Sequence, residues 1–165
     1  AEQLYKQALE GYIAALGAAH PDTLGSMMNV AVLYKAKGDD RAAEELYKQV
    51  LQGRQAALGE AHPDTLTSIE LLGVLYHSQG KYGEAEPLFK QALEGWRAAL
   101  GEAHPDTLMS IMNLANLHEA KGDFHTAEPL YMQALEGWRA ALGETHPDTQ
   151  DCIRSLAKLH MAMGK

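Results

Sequence analysis

The chain has 165 residues, of which 46% are hydrophobic and 22% are charged, a composition typical of a folded soluble protein. Its formal net charge of -8, without any cluster of lysine or arginine, argues against nucleic-acid binding, which needs a concentrated basic surface. No apolar run reaches the roughly 18 residues of a membrane span and no charged-then-apolar leader opens the sequence, so we predict a cytoplasmic protein that does not bind membranes.

Eight helical segments follow one another along the chain, each with apolar residues at spacings of three and four. We predict helices at 2–16, 21–37, 41–58, 63–79, 83–100, 105–121, 125–142 and 147–163. In the second of these, Leu24, Met27 and Val30 lie on one stripe, and the helix ends at Gly38, a residue that accepts the conformation a helix C-terminus commonly needs. The sequence therefore predicts an all-α protein of about eight helices.

The same pattern returns every 42 residues. The stretch LGEAHPDTL occurs at 58–66 and again at 100–108, and near copies occupy 16–24 and 142–150. A first-type helix begins at each His-Pro-Asp-Thr, and a second-type helix follows it. This period indicates a solenoid, because one helix pair cannot bury its apolar stripe alone. We predict one repeat domain over 1–165 that begins with a second-type helix at 1–16, ends with a first-type helix at 147–163 and is a fragment of a longer array.

Four histidines of this junction are candidate metal ligands, or members of a J-domain-like His-Pro-Asp loop. They are His20, His62, His104 and His146. Zinc ligands must lie within a few ångströms of one another, whereas packed helices lie about 8 to 10 Å apart, so equivalent histidines should not share one ion. A J-domain carries the tripeptide in a loop, whereas here it recurs and a helical stripe follows at once. We instead predict a helix start, with proline first, threonine or aspartate bonding free N–H groups, and a histidine ring that packs or caps.

A glycine lies inside the second-type helix of every repeat. These residues are Gly11, Gly53, Gly95 and Gly137. Each costs about 1 kcal/mol relative to alanine in a helix interior, so a shared packing reason is expected. We predict that a neighbouring helix, or the aromatic ring at Tyr12, Trp96 or Trp138, approaches these glycines closely.

No catalytic constellation is apparent in the sequence. Ser26, Ser68 and Ser110 each share a repeat with a histidine, but the pairing recurs with the period and no sharp turn presents a nucleophile. Cys152, the single cysteine, stands at the position of those serines, where a small buried side chain is expected rather than a reactive thiolate. One cysteine forms no internal disulfide or thiolate cluster, and no glycine-rich phosphate loop is present. We predict a protein that is not an enzyme and uses no cofactor and no metal.

The helix pair resembles a tetratricopeptide repeat, whose signature is Trp-x2-Leu-Gly-x2-Tyr on the first helix and Ala-x3-Phe on the second. The residues that follow this frame, with isoleucine in place of tryptophan, are Ile69, Leu72, Gly73, Tyr76, Ala85 and Phe89. The 42-residue period, longer than the common unit of about 34, and the His-Pro-Asp-Thr junction are similar to the kinesin-light-chain type of this repeat. The resemblance implies a right-handed superhelical solenoid of antiparallel helix pairs, whose first-type helices line a concave groove for peptides.

By this resemblance, the groove is lined by first-helix positions that differ between repeats. The candidate peptide-binding residues, called here the first-helix face, are Met28, Asn29, Val32, Lys35, Glu70, Val74, His77, Met112, Asn113, Asn116, Glu119, Arg154 and Lys158. Asn29 and Asn113 match a family asparagine that often holds a peptide backbone, since an amide both donates and accepts. Relatives that bind acidic peptides need several groove cations, which this chain offers mainly at Arg154 and Lys158. A solvated, idle groove is the alternative.

Two functions from different classes remain open. The first is a non-catalytic scaffold that binds a protein or peptide partner, of unknown identity, in the groove. The second is a structural array that self-associates end to end through its terminal helices, because the first helix has no first-type helix before it to cover its apolar stripe. That stripe consists of Leu4, Tyr5, Ala8 and Leu9. The last helix is more polar, and could partly cap the array.

Overall fold

The computed structural model describes residues 2–164, without the side chains of Glu2, Tyr5 and Lys6. Within that range the chain forms helices and no strand. The helices are α1 (Glu2–Leu16), α2 (Pro21–Ala36), α3 (Asp40–Leu58), α4 (Pro63–Ser78), α5 (Tyr82–Leu100), α6 (Pro105–Ala120), α7 (Phe124–Leu142) and α8 (Pro147–Ala162). Each end lies within one residue of its predicted position, which confirms the all-α fold and its eight helices.

The helices divide between two compact units, Ala1–Gln79 and Gly80–Lys165. In the N-terminal unit, α2 packs on α1 and α3, and α3 also packs on α4. In the C-terminal unit, α6 packs on α5 and α7, and α7 also packs on α8. Within each unit, packing therefore joins helices that are neighbours in the sequence, as expected of a helical repeat.

A histidine caps each first-type helix. The Nδ1 atoms of His20, His62, His104 and His146 accept hydrogen bonds from the backbone N–H two residues later, at 3.2, 3.1, 3.2 and 3.3 Å. Proline occupies the next position, where its missing N–H costs little. Of the two roles predicted for the ring, the structure shows capping, and it is the histidine that takes up the N–H group.

The threonine of the junction joins the new helix to the end of the old one. The Thr107 hydroxyl donates to the carbonyl of Gly101 at 2.7 Å, and the Thr149 hydroxyl donates to that of Gly143 at 2.8 Å. Gly101 has a φ of 85°, a conformation that favours glycine. These two threonines therefore bond a carbonyl group, and the prediction that threonine bonds free N–H groups is wrong for them.

Replacing His62 with alanine is expected to lower the free energy of unfolding by about 1 kcal/mol, because an N-cap acceptor is lost. His62→Asn is the matched control: its amide oxygen can accept the same bond, so its stability should stay near that of the wild type. Urea denaturation followed by circular dichroism measures both. An equal loss in the two variants would contradict the capping role.

Two of the mid-helix glycines lie against a leucine of the preceding first-type helix. A Cβ atom at Gly137 would lie 2.3 Å from Cδ2 of Leu108, and one at Gly53 would lie 2.7 Å from Cδ2 of Leu24. The predicted approach of a neighbouring helix is confirmed at these positions, and the nearest atoms belong to leucine rather than to an aromatic ring. At Gly11 the prediction is wrong, since no atom lies within 4 Å of such a Cβ. For Gly95 it stays a prediction.

Candidate peptide-binding site

The candidates of the N-terminal unit lie on α2 and α4. On α2, Asn29 is exposed and Val32 is 45% exposed, whereas Met28 is only 8% exposed and offers little surface to a ligand. Lys35 is half-buried, and this burial lowers its pKa from the ordinary value, although the Asp40 carboxylate acts in the opposite direction. The α4 candidates Glu70, Val74 and His77 are all half-buried.

Two of the candidates on α6 form hydrogen bonds within the fold. The hydroxyl of Tyr131, on α7, lies 2.5 Å from Oδ1 of Asn116 and 2.5 Å from Oε2 of Glu119. Burial raises the pKa of Tyr131, and the Glu119 carboxylate raises it further, so the hydroxyl stays protonated. It donates one hydrogen bond that the Asn116 and Glu119 oxygens share. Met112 is 9% exposed, and Asn113 is half-buried. Asn113 is therefore the α6 candidate best placed to meet a ligand.

The candidates on α8 are exposed cations. Arg154 forms an ion pair with Asp151 on the same helix, and Lys158 is exposed one turn further on. An exposed pair of this kind is screened by water and contributes little to stability. Both cations can therefore be reached from solvent.

Cys152 lies beside these residues in sequence but is not part of the exposed face. It is fully buried, as predicted, and its thiol donates to the backbone carbonyl of Tyr131 at 3.3 Å. Burial raises the pKa of this thiol to about 11, while Arg139 acts in the opposite direction. Cys152 is thus a protonated packing residue at neutral pH.

An open apolar groove lies between α7 and α8, on a surface that the sequence analysis missed. This α7–α8 groove has a volume of about 940 Å³ and is lined by Pro129, Met132, Gln133, Leu135, Glu136, Arg139, Ala140 and Leu156. The sequence contains one signal for it: Met132, which is 56% exposed, stands where earlier repeats have Lys48 and Lys90. The exposure of the other lining residues depends on helix packing, which a repeat pattern does not reveal.

The described residues offer neither a metal-ion cluster nor a membrane-spanning helix. They contain no group of three or more histidine, cysteine, aspartate or glutamate residues that could hold a metal ion. None of the helices in this part of the chain combines the length and apolar character that crossing a membrane requires.

Comparison with known proteins relates this geometry to a family. Tetratricopeptide repeat models match residues 1–56, 42–98 and 64–125, and a further model of that repeat matches residues 107–148. No curated protein matches the chain.

Several solved structures are similar to this one. Two crystal structures of a Podosopora anserina protein, described as a kinesin light chain with nearly identical TPR-like repeats, are 29% identical, with TM-scores of 0.84 and 0.82. Each alignment covers 99% of this chain and 77% of that one. The crystal structure of BtubC (BKLC) from P. vanneervenii is 25% identical with a TM-score of 0.86, over 99% of this chain and 65% of that one. The predicted kinesin-light-chain-like repeat fold is thereby confirmed.

Proposed function

Because this chain belongs to the tetratricopeptide repeat family, whose repeats commonly mediate protein–protein interaction, we propose that it is a non-catalytic scaffold that binds peptide segments on its first-helix face. One observation carries the proposal. Val32, Val74, Asn116 and Lys158 occupy one position of the four first-type helices, and none of them is buried. The threonine of the junction is fully buried in all four repeats. A surface whose chemistry changes on a constant frame is where specificity for a partner can reside.

The C-terminal unit suggests how a peptide would be held there. The Asn113 amide can donate to a peptide carbonyl and accept from a peptide N–H, which suits an extended backbone. Arg154 and Lys158 add positive charge on α8, whereas the chain as a whole has a net charge of -8. Long-range repulsion would disfavour a strongly acidic ligand. We therefore expect peptides of mixed charge, with a carboxylate that meets α8.

Selection from a library of random peptides displayed on phage, with the wild-type chain as bait, tests this proposal. Affinities of the selected peptides are then measured by fluorescence anisotropy. Asn113→Ala should weaken binding about five- to tenfold, the effect of one or two lost hydrogen bonds. Lys158→Glu should weaken binding of peptides that carry a carboxylate and strengthen binding of peptides that carry a matched lysine.

The matched control is Arg41→Ala, an exposed position on the second-type helix α3, which should leave affinity unchanged. Circular dichroism establishes that each variant is folded. The proposal fails if no peptide is selected, or if the Asn113 and Lys158 variants both bind the selected peptides as the wild type does.

A second candidate function, a structural array that self-associates end to end, is favoured by the surface of α1. Leu4 is 70% exposed, and Ala8 is exposed although the equivalent Val50, Ala92 and Ala134 are all 0% exposed. The predicted contribution of the Tyr5 side chain lies outside the described residues. The position of Ala8 is thus buried in every other second-type helix, and the apolar surface that it forms with Leu4 on α1 is unusually exposed. Light scattering against concentration tests this candidate, which requires a mass above that of one chain.

A further inference from the structure

The α7–α8 groove has a filled counterpart one repeat earlier. There, Leu93, Glu94, Arg97 and Leu114 line a groove on α5 and α6, and Thr126 and Leu130 of α7 form its remaining wall. One repeat later the same four wall positions are Leu135, Glu136, Arg139 and Leu156, which line the α7–α8 groove. The filled groove retains about 440 Å³ and the other about 940 Å³. The α7–α8 groove therefore has the walls of a helix-binding site without a helix from the described residues in it.

The surface of α8 beside this groove is more exposed than the equivalent surface of α6. Ala157 is exposed, whereas Ala115, at the same position of α6, is 0% exposed. Leu156 is half-buried, whereas the equivalent Leu114 is 5% exposed. These are the side chains that a following second-type helix would cover, because α7 follows α6 and packs on it in the C-terminal unit.

Helix α1 is a second-type helix whose complementary face is exposed. Leu4 occupies the position of Leu130 in α7, a residue that forms part of the wall of the filled groove. Leu130 is half-buried there, whereas Leu4 is 70% exposed. Ala8 is exposed at the position of Ala134, which is 0% exposed. At these two positions α1 thus presents the same apolar residues as α7, which packs beside the earlier groove.

We infer that the α7–α8 groove is a docking site for α1 of a second copy of this chain, with Leu4 entering beside Leu135 and Leu156. This rests on the self-association candidate and deepens it, because it names both surfaces and their register. The interface is heterologous, so each copy offers one α1 and one groove, and association continues head to tail.

Two complementary variants test this docking. Leu4→Glu disables α1 and leaves the groove intact, whereas Ala157→Glu, at an exposed position whose equivalent Ala115 is 0% exposed, disables the groove and leaves α1 intact. Burying an unpaired carboxylate should lower the association constant about a hundredfold or more. In multi-angle light scattering the wild type should grow in mass with concentration, and each variant alone should stay monomeric. An equimolar mixture of the two should form a 1:1 dimer, because one intact α1 and one intact groove remain.

Leu16→Glu is the matched control, since it introduces the same charge on the same helix. The equivalent Leu58, Leu100 and Leu142 are 36%, 39% and 38% exposed, so this position lies outside the packed face and the control should associate as the wild type does. A wild type that is monomeric at every concentration overturns both self-association and the docking site. A wild type that associates, with variants that also associate or a mixture that stays monomeric, overturns the docking site alone. Circular dichroism checks that every variant is folded.

Discussion

Replacing Trp138 with alanine is expected to lower the free energy of unfolding by about 3 to 5 kcal/mol. Trp138 is 2% exposed and is the largest of the fully buried side chains. In the N-terminal unit the same position is Arg54, whose Nη1 donates to the Ser68 hydroxyl of α4 at 2.9 Å. The tryptophan ring is therefore expected to face the following first-type helix, α8. Removal of the ring leaves a cavity that rigid helices fill only in part, so contacts are lost as well as buried apolar area.

Chemical denaturation followed by circular dichroism measures this loss independently of fluorescence, which would lose one of the chain's two tryptophans. Arg54→Ala is the control at the equivalent position. The Ser68 hydroxyl already donates to the Asp64 carbonyl at 2.9 Å, so this hydroxyl and this carbonyl stay hydrogen-bonded to each other when the Arg54 guanidinium is removed. A smaller loss, about 1 kcal/mol, is expected there. Equal losses in the two variants would contradict the view that the tryptophan is a packing centre of the C-terminal unit.

The helices could be predicted almost residue by residue because their ends are encoded locally. His62 caps, Pro63 begins the helix and a glycine ends it, and each of these acts through its own backbone or its next neighbours. Such short-range signals can be recognised in a single sequence, and the 42-residue period repeats them often enough to make the helix boundaries unambiguous. The fold class followed, since alternating amphipathic helices of constant length must stack to bury their stripes.

The roles of the candidate site residues could be predicted only in part, because several depend on a neighbouring helix. Asn116 and Glu119 lie on the first-helix face, yet both contact the Tyr131 hydroxyl of α7. The equivalent Tyr47 has Val32 and Lys35 at those two positions, so the repeat frame does not determine what the tyrosine meets. Family positions therefore indicate which side chains share a face, whereas packing decides which of them a ligand can use.

The exposure of equivalent side chains in different repeats was likewise difficult to predict. Gly11 matches Gly53 and Gly137 in sequence, but a Cβ atom there would meet nothing, because no first-type helix of the described residues precedes α1. Ala157 belongs to the same class: it is exposed, whereas the equivalent Ala115, on the helix against which α7 packs, is 0% exposed. Equal sequence positions acquire different environments according to which helices of the described residues pack against them.

Replacing Gly137 with alanine is expected to lower the free energy of unfolding by up to about 2 kcal/mol. An alanine gains about 1 kcal/mol of helix propensity over glycine, but overpacking a core commonly costs about 1 to 3 kcal/mol. The added Cβ would lie 2.3, 3.0 and 3.2 Å from three side-chain carbons of Leu108. Leu108 is itself only 2% exposed, so the whole side chain must move within a packed core, and the packing cost exceeds the propensity gain.

Gly11→Ala makes the same change at the same repeat position without the contact. With nothing within 4 Å of the added Cβ, only the propensity term remains, and stability should rise by up to about 1 kcal/mol. The two variants should therefore shift the denaturation midpoint in opposite directions in one set of urea titrations. If Gly137→Ala stabilised the chain as Gly11→Ala does, Leu108 would have room to yield, and close helix approach would not explain the glycine. Opposite shifts would show that the close approach of Leu108 explains the glycine at position 137, because both variants make the same substitution at the same repeat position.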